Sequence, residues 1–416
     1  MRSRNASRTR LAPLNDPHGM RQSRISACPL DDGRSKSGVK RNGVGVRVEE
    51  GGVFRLRRRR PGDRRWHDGL HRPHGKPERH DEIVDVADPA NPRLLATVEV
   101  PPGTHSHKVR VGNGIMIVNN ELYPRGKTKP DPDFQGGYTV YDVSNPAKPR
   151  QLYRSKEKGK GVHRFDFDGR YAYMSPTVDG YIGNIVMIVD FKNPEKPEEV
   201  GRWWEPGQWI AGGEKPAWEH DFHRCHHPLR MGNRLYVSYW LGGMFILNID
   251  DMSKPKMVSH MRWRPPYACP VHTALPLPYE IDGRKLLLVA EEDVWRTPDD
   301  RPGGLWMVDI TKEEYPFVIG SFQMEELERP PVPPFTACHQ PSERVNGTEI
   351  PVAYFAHGMR IVDVSKPRAL REVAHYVPDL PAGAPKVQAN DVTIDDRGLF
   401  YLIDRYRGLT ILERTR

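Results

Sequence analysis

The stretch EIVDVADPANPRLL (residues 82–95) is a short β-branched strand that ends on an acidic residue and runs into a proline-containing turn and a second strand. The same pattern returns as TVYDVSNPAKPRQL (139–152), MIVDFKNPEKPEEV (187–200), FILNIDDMSKPKMV (245–258), WMVDITKEEYPFVI (306–319), RIVDVSKPRALREV (360–373) and the terminal LTILER (409–414). Aligned on the acidic or amide position, the seven copies fall at Asp85, Asp142, Asp190, Asn248, Asp309, Asp363 and Glu413, 48 to 61 residues apart. That interval suits a blade of four short strands with loop insertions, about 40–50 residues each. The expectation is an all-β chain folded as a seven-bladed β-propeller.

The segments between copies supply the remaining strands. HRFDFDGRYAYMSP (163–176) alternates, turns at an Asp-Gly pair and alternates again, which reads as a β-hairpin. Helical 3.6-residue periodicity is scarce, and the 40 prolines and 37 glycines punctuate turns.

The net charge of +9 is unevenly placed. Residues 1–80 hold 21 Lys and Arg against 8 Asp and Glu, leaving 42 against 46 in the rest of the chain. The body from 81 to 416 is therefore mildly acidic, which removes the electrostatic case for nucleic acid as its partner. The four cysteines show no CxxC spacing, which points to a reducing, cytoplasmic setting. No apolar run is long enough for a membrane span. Oligomeric state is left open by these features.

Two domains follow: a basic segment over 1–80 and a propeller over 81–416. Residues 55–80 show no alternation, so the first blade lacks its inner strand pair and is defective or built from an aberrant segment. Two readings compete for this region, a basic disordered extension and a stretch out of its native reading frame; the Arg, Gly and Pro enrichment favours the second.

The motif strand resembles the LVIVD-repeat propellers over residues 81–416, which implies the fold and leaves the chemistry open. In arrangement only, a propeller with channel histidines also resembles the carotenoid-cleavage oxygenases and the selenium-binding proteins.

In a propeller the innermost strand of each blade lines the axis, and the loop entering it shares a face with the hairpin between strands two and three. Aligning the blades on their first turn puts His107, His163 and His227 or its neighbour His226 at matching positions. His272 and His339 join them if their longer approach to the turn is a loop insertion, and Asp391 takes the place in the last blade. The strand-two hairpins add Glu121, Glu291, Glu292, Asp293, His357 and Asp404. Neutral imidazole is the commonest transition-metal ligand, and its second nitrogen needs an acceptor to fix the tautomer.

The metal ligands expected are thus His107, His163, His227, His272 and His339. Glu121, Glu292 and Asp391 are the carboxylates beside them, acting on the reaction or binding water. Such a donor set suits Fe(II) first, with Cu, Mn or Zn as alternatives. The function this implies is a metal-dependent oxidoreductase, an oxygenase in its narrower form. The oxygen chemistry rests on the resemblance to oxygen-activating propellers. Trp203, Trp204, Trp209, Trp218, Tyr239 and Trp240 are the residues that would wall a pocket for a small aromatic or apolar substrate.

The competing reading is a non-enzymatic scaffold for protein partners in which each histidine staples neighbouring blades. A Ca²⁺-dependent hydrolase or lactonase ranks last, because Asn390, Asp391 and Glu121 are too few oxygen ligands. Cys225, Cys269 and Cys338 each precede a channel histidine by three residues or fewer, and read as small packing residues.

Overall fold

The computed structural model describes residues 23–27, 80–100, 102–122, 133–155, 159–218, 222–329 and 331–414. Apart from residues 23–27 and 80, the basic segment expected over 1–80 lies outside the described residues. Among the described residues the regular structure is β-strand with three single-turn 3-10 helices.

In blades 2 to 7 the repeat becomes the third strand of a four-stranded antiparallel blade, as blade 3 shows in full. Val162–Phe167 pairs with Tyr171–Pro176, which pairs with the motif strand Val186–Asp190, which pairs with Glu198–Trp203. Blades 2, 4, 5 and 6 follow over 104–154, 223–261, 271–322 and 340–376. Blade 7 has Ala389–Ile394, Phe400–Asp404 and Gly408–Arg414, and Ser23–Ala27 pairs antiparallel with the last of these as its fourth strand. Among the described residues, blade 1 has His80–Asp85 and Arg93–Glu99, the outer pair. All seven motif strands expected from sequence are therefore strands.

The motif's acidic residue has a local cause. Its side-chain oxygen accepts the N–H two residues on: Asp85 from Ala87, Asp142 from Ser144, Asp190 from Lys192, Asn248 from Asp250, Asp309 from Thr311 and Asp363 from Ser365. This turn-initiating bond needs a short side-chain acceptor, which suits the Asp or Asn found at these six positions. The Ala87 N–H and the Arg93 guanidinium together hold the Asp85 carboxyl below its usual range.

The apolar faces of neighbouring blades build the core. Ile117 and Val140 of blade 2 meet Phe165 and Met187 of blade 3, and Ile188 of blade 3 meets Val237 and Leu247 of blade 4. Each such side chain, fully buried, contributes about 1.5–3 kcal/mol. Contacts run from the described strands of blade 1 to both of its neighbours. Ile83 and Val98 of blade 1 pack on Met116 and Val118 of blade 2, while Val86 packs against Leu399 and Tyr401 of blade 7. Arg397 of blade 7 donates to the Val86 and Ala87 carbonyls at 3.0 and 3.2 Å. The outer edge of blade 1 thus carries the contact from blade 7 to blade 2.

Candidate metal centre at the channel mouth

The six described inner strands surround a cavity of 1820 Å³. Pairing registers show how they present their side chains. In blades 5 and 7 the ladder skips one residue, between Val271 and Thr273 and between Ala389 and Asp391, so His272 and Asn390 are bulged out of it. A bulge re-aims the extra residue and turns its successor elsewhere. In blades 3 and 4 the residue after the bulge is identified by its N–H: Arg164 donates to Ser175 Oγ and His227 to Ser238 Oγ, while in blade 2 His107 and Lys108 both donate to Asn119 Oδ1.

Two tiers result. The bulged tier holds His107, His163, His226, His272, His339 and Asn390. The tier formed by the next residues holds Lys108, Arg164, His227, Thr273, Gln340 and Asp391.

The bulged tier is an unbroken arc of imidazoles. Ring centroids from His105 through His107, His163, His226 and His272 to His339 lie 4.3, 4.9, 4.6, 4.5 and 4.4 Å apart in succession. Carboxylates stand at two points along it. Glu121 accepts from His105 Nδ1 at 3.1 Å and from His163 Nδ1 at 2.8 Å. Glu292 lies 3.9 Å from His226 Nε2 and 3.8 Å from His339 Nε2. Two triads, His105–His107–Glu121 and His226–His272–Glu292, have ligand atoms within 4.8 Å of one another.

Hydrogen bonds set the tautomers. His163 Nδ1 faces Glu121, His226 Nδ1 faces the His272 carbonyl at 2.8 Å, and His339 Nδ1 faces the Asn390 carbonyl. Each acceptor requires an Nδ1–H, so each of these neutral rings turns a lone pair at Nε2 into the mouth. His163 Nε2 and His226 Nε2 then face one another at 2.9 Å. Two lone pairs at that distance repel unless a cation, proton or metal, lies between them. Burial, reinforced by the neighbouring imidazole of His163 and the Arg224 and Arg164 guanidiniums, pushes His226 well below the usual imidazole value and opposes the proton. Nitrogens sharing a metal at about 2.0–2.1 Å stand about 3 Å apart, so the residues present fit one. His272 Nε2 is buried in the same group without a hydrogen-bond partner among the described residues.

His107, the remaining member, differs. Asn119 Nδ2, whose two protons go to the Val162 and His163 carbonyls, lies 3.2 Å from His107 Nδ1, and His107 Nε2 is buried without a hydrogen-bond partner among the described residues, so no hydrogen bond fixes its tautomer.

The second tier is an ion-pair network. Glu343 accepts from Lys108 and, at 2.7 Å, from Gln340 Nε2, is ion-paired with Arg110, and lies 3.6 Å from His227 Nδ1. Arg164 donates to Gln340 Oε1 at 2.7 Å.

Several sequence assignments are corrected. His226, not His227, belongs to the arc, and Asn390, not Asp391, occupies the matching place in blade 7; in both cases the bulge shifts the alignment by one residue. Of the hairpin residues, only Glu121 and Glu292 face imidazoles of the arc. Glu291 accepts from Trp263 Nε1 and Gly304 N, Asp293 pairs with Arg296, and Asp404 caps Gln388, Tyr406 and Arg407. His357 lies in a 3-10 turn. Trp203 and Tyr239 are core between blades 3 and 4, and Trp240 alone of the six expected aromatics lines the cavity, joined by Phe222, Trp295 and Phe335. The sequence reading passed over Arg164 and Glu343; a basic residue directly after two aligned histidines was the available signal for a second tier. Cys225 and Cys338 are buried thiols raised well above their usual range by burial, as packing residues require.

This ring of four-stranded antiparallel sheets around a central cavity defines a β-propeller. A family model for the LVIVD repeat matches residues 132–153, and the chain carries that repeat. No curated protein matches the sequence. Among solved structures, the periplasmic gluconolactonase of Pseudomonas aeruginosa is similar at 11% identity over 78% of this chain and 85% of that one, with a TM-score of 0.53. A hypothetical selenium-binding protein from Sulfolobus tokodaii is similar at 12% identity over 78% and 79%, with a TM-score of 0.50. A Lactobacillus plantarum protein is similar at 8% over 72% and 81%, also at 0.50. At these identities the likeness is one of fold.

Proposed function

We propose that the protein is a transition-metal-dependent oxidoreductase, an oxygenase in its narrower form, working at the channel mouth. The observation that carries this is the His226–His272–Glu292 group, whose ligand atoms lie within 4.8 Å of one another, with His163 Nε2 2.9 Å from His226 Nε2 and His272 Nε2 buried without a hydrogen-bond partner among the described residues. Those residues would hold the metal, which supplies Lewis-acid and one-electron chemistry there. Neutral imidazoles with one carboxylate favour Fe(II), with Cu, Mn or Zn as alternatives. The nearby thiols stay protonated and do not compete as ligands. Glu121 holds the His163 ring in its tautomer, and the Asn390 carbonyl does the same for His339.

The buried free thiols also support a cytoplasmic setting. A Ca²⁺-dependent hydrolase or lactonase is disfavoured, since the mouth offers imidazole where a Ca²⁺ site needs oxygen. Metal analysis of protein purified from supplemented medium tests the reading, with about one equivalent of a first-row metal expected. Its absence leaves the histidines as staples of a non-enzymatic scaffold.

A further inference from the structure

Among the described residues, five that are not glycine have positive φ. Asn113 and Asp282 each precede a glycine in a hairpin turn, where left-handed backbone is ordinary. The other three are Trp240, Trp295 and Phe335, at φ 56°, 58° and 61°, and all three line the mouth of the cavity. Bulky aromatic residues avoid this region, and one held there is strained. Two of them are not buried as compensation: Trp295 is 56% exposed and Phe335 is 37% exposed.

A buried clamp holds both. Asp293 and Arg296 form a bidentate ion pair with no exposed side-chain surface. The Asp293 carboxylate also accepts the N–H groups of Thr336, Ala337 and Gly303, and its carbonyl accepts that of Phe335 at 2.7 Å. The Arg296 guanidinium donates to the Val332 and Pro333 carbonyls at 2.7 and 3.1 Å. The two loops are thus locked against each other with one aromatic ring displayed on each.

Aromatic contacts lead inward from both. One path runs Phe222, Trp295, Trp240, His226, with centroids 6.2, 5.6 and 4.8 Å apart; the other runs Phe335, Phe355, His339, at 5.5 and 4.6 Å. Glu292, which faces His226 and His339, directly precedes the clamp residue Asp293.

We propose that Trp295, Phe335 and Phe222 form a preset subsite for the aromatic ring of a small planar substrate, leading it to the His226–His272–Glu292 group; its catalytic consequence rests on the metal-centre reading above. An aromatic guest set offset-stacked or edge-on against such rings gains energy beyond the area it buries, which an aliphatic guest of the same size does not share. Holding the rings in place before binding removes the ordering cost that flexible rim residues would pay.

The test is calorimetric titration of 2-naphthol and of decahydro-2-naphthol into the wild type and Trp295→Gly, each as purified and after chelator treatment, with thermal melts of both proteins. Naphthol is expected to bind about 3- to 10-fold more tightly than its saturated analogue. Trp295→Gly should lose at least about tenfold of that affinity while its Tm stays level or rises, because glycine adopts this backbone without strain. Equal affinity for the two probes, wild-type binding by the variant, or a drop in its Tm each overturns the proposal. Naphthol binding by a protein that takes up no metal removes the metal centre and keeps the subsite; metal uptake without naphthol binding does the reverse.

Discussion

His226 and His227 are neighbours in sequence, both buried, and both pushed well below the usual imidazole value by desolvation, yet they belong to different chemistry. His226 sits between His163 and His272 in the arc, its Nδ1 proton engaged by the His272 carbonyl. His227 sits one tier away, beside Glu343, where Lys108, Arg164 and Arg110 surround it with positive charge. The first environment suits a cation shared between lone pairs; the second is already filled by cationic side chains. One bulged residue separates them, so the channel uses successive positions of the same strand for two unlike purposes.

The largest way to break this comparison is to remove one member of each tier. His226→Ala and, separately, His272→Ala should take bound metal from about one equivalent to none, whereas His227→Ala should leave it unchanged. Inductively coupled plasma mass spectrometry on the three purified variants decides the matter. Metal loss in His227→Ala, or retention in His226→Ala, would place the centre in the wrong tier.

The next effect is on stability against pH. Burial holds His107, His226, His227 and His272 well below their unfolded values, so between about pH 6.5 and their folded values the unfolded chain binds more protons than the folded one. Stability in the metal-free protein is therefore full above about pH 6.5 and falls as the pH drops below it. Each imidazole contributes up to about 1.4 kcal/mol per pH unit. Thermal melts between pH 7.5 and 5.5 should show this slope, and His226→Ala and His227→Ala should each flatten it by about one proton. A flat wild-type profile would mean that the folded rings are protonated.

A smaller effect sharpens the second tier. Glu343→Gln takes the counter-charge from Lys108 and Arg110 and should cost about 2–3 kcal/mol in denaturant unfolding. Breaking a fully buried pair costs about 3–5 kcal/mol, but Arg110 keeps 23% of its side chain exposed and is partly rehydrated. Metal content should not change. A loss of metal in Glu343→Gln would show that the two tiers are coupled.

Much of this was legible before the structure. The repeat carried its own period, its acidic residue marked a turn, and the approach to each inner strand placed five blades' histidines at one height. The sequence was silent where a single residue mattered. HHPLRMGN contains two adjacent histidines, and nothing local says which is bulged; the answer depends on the partner strand Arg234–Trp240, with which the ladder slips between His223 and His227. NDVTIDDRG posed the same choice between Asn390 and Asp391, and there chemistry misled, since a carboxylate looks more like a metal ligand than an amide. The rim aromatics were missed for a different reason. Trp295 and Phe335 lie 40 residues apart in irregular loops, and only the Asp293–Arg296 clamp brings those loops together.

What the sequence determined by itself is whatever one repeat can encode within its own length: the strand, the Asx turn and the interval that makes a blade. Those depend on backbone propensity and bonds spanning two or three residues. What only the tertiary structure decided is which side chains meet on the axis, because each inner strand contributes one or two of them from a different blade. A slip of one residue in any ladder exchanges an imidazole for a guanidinium or an amide there.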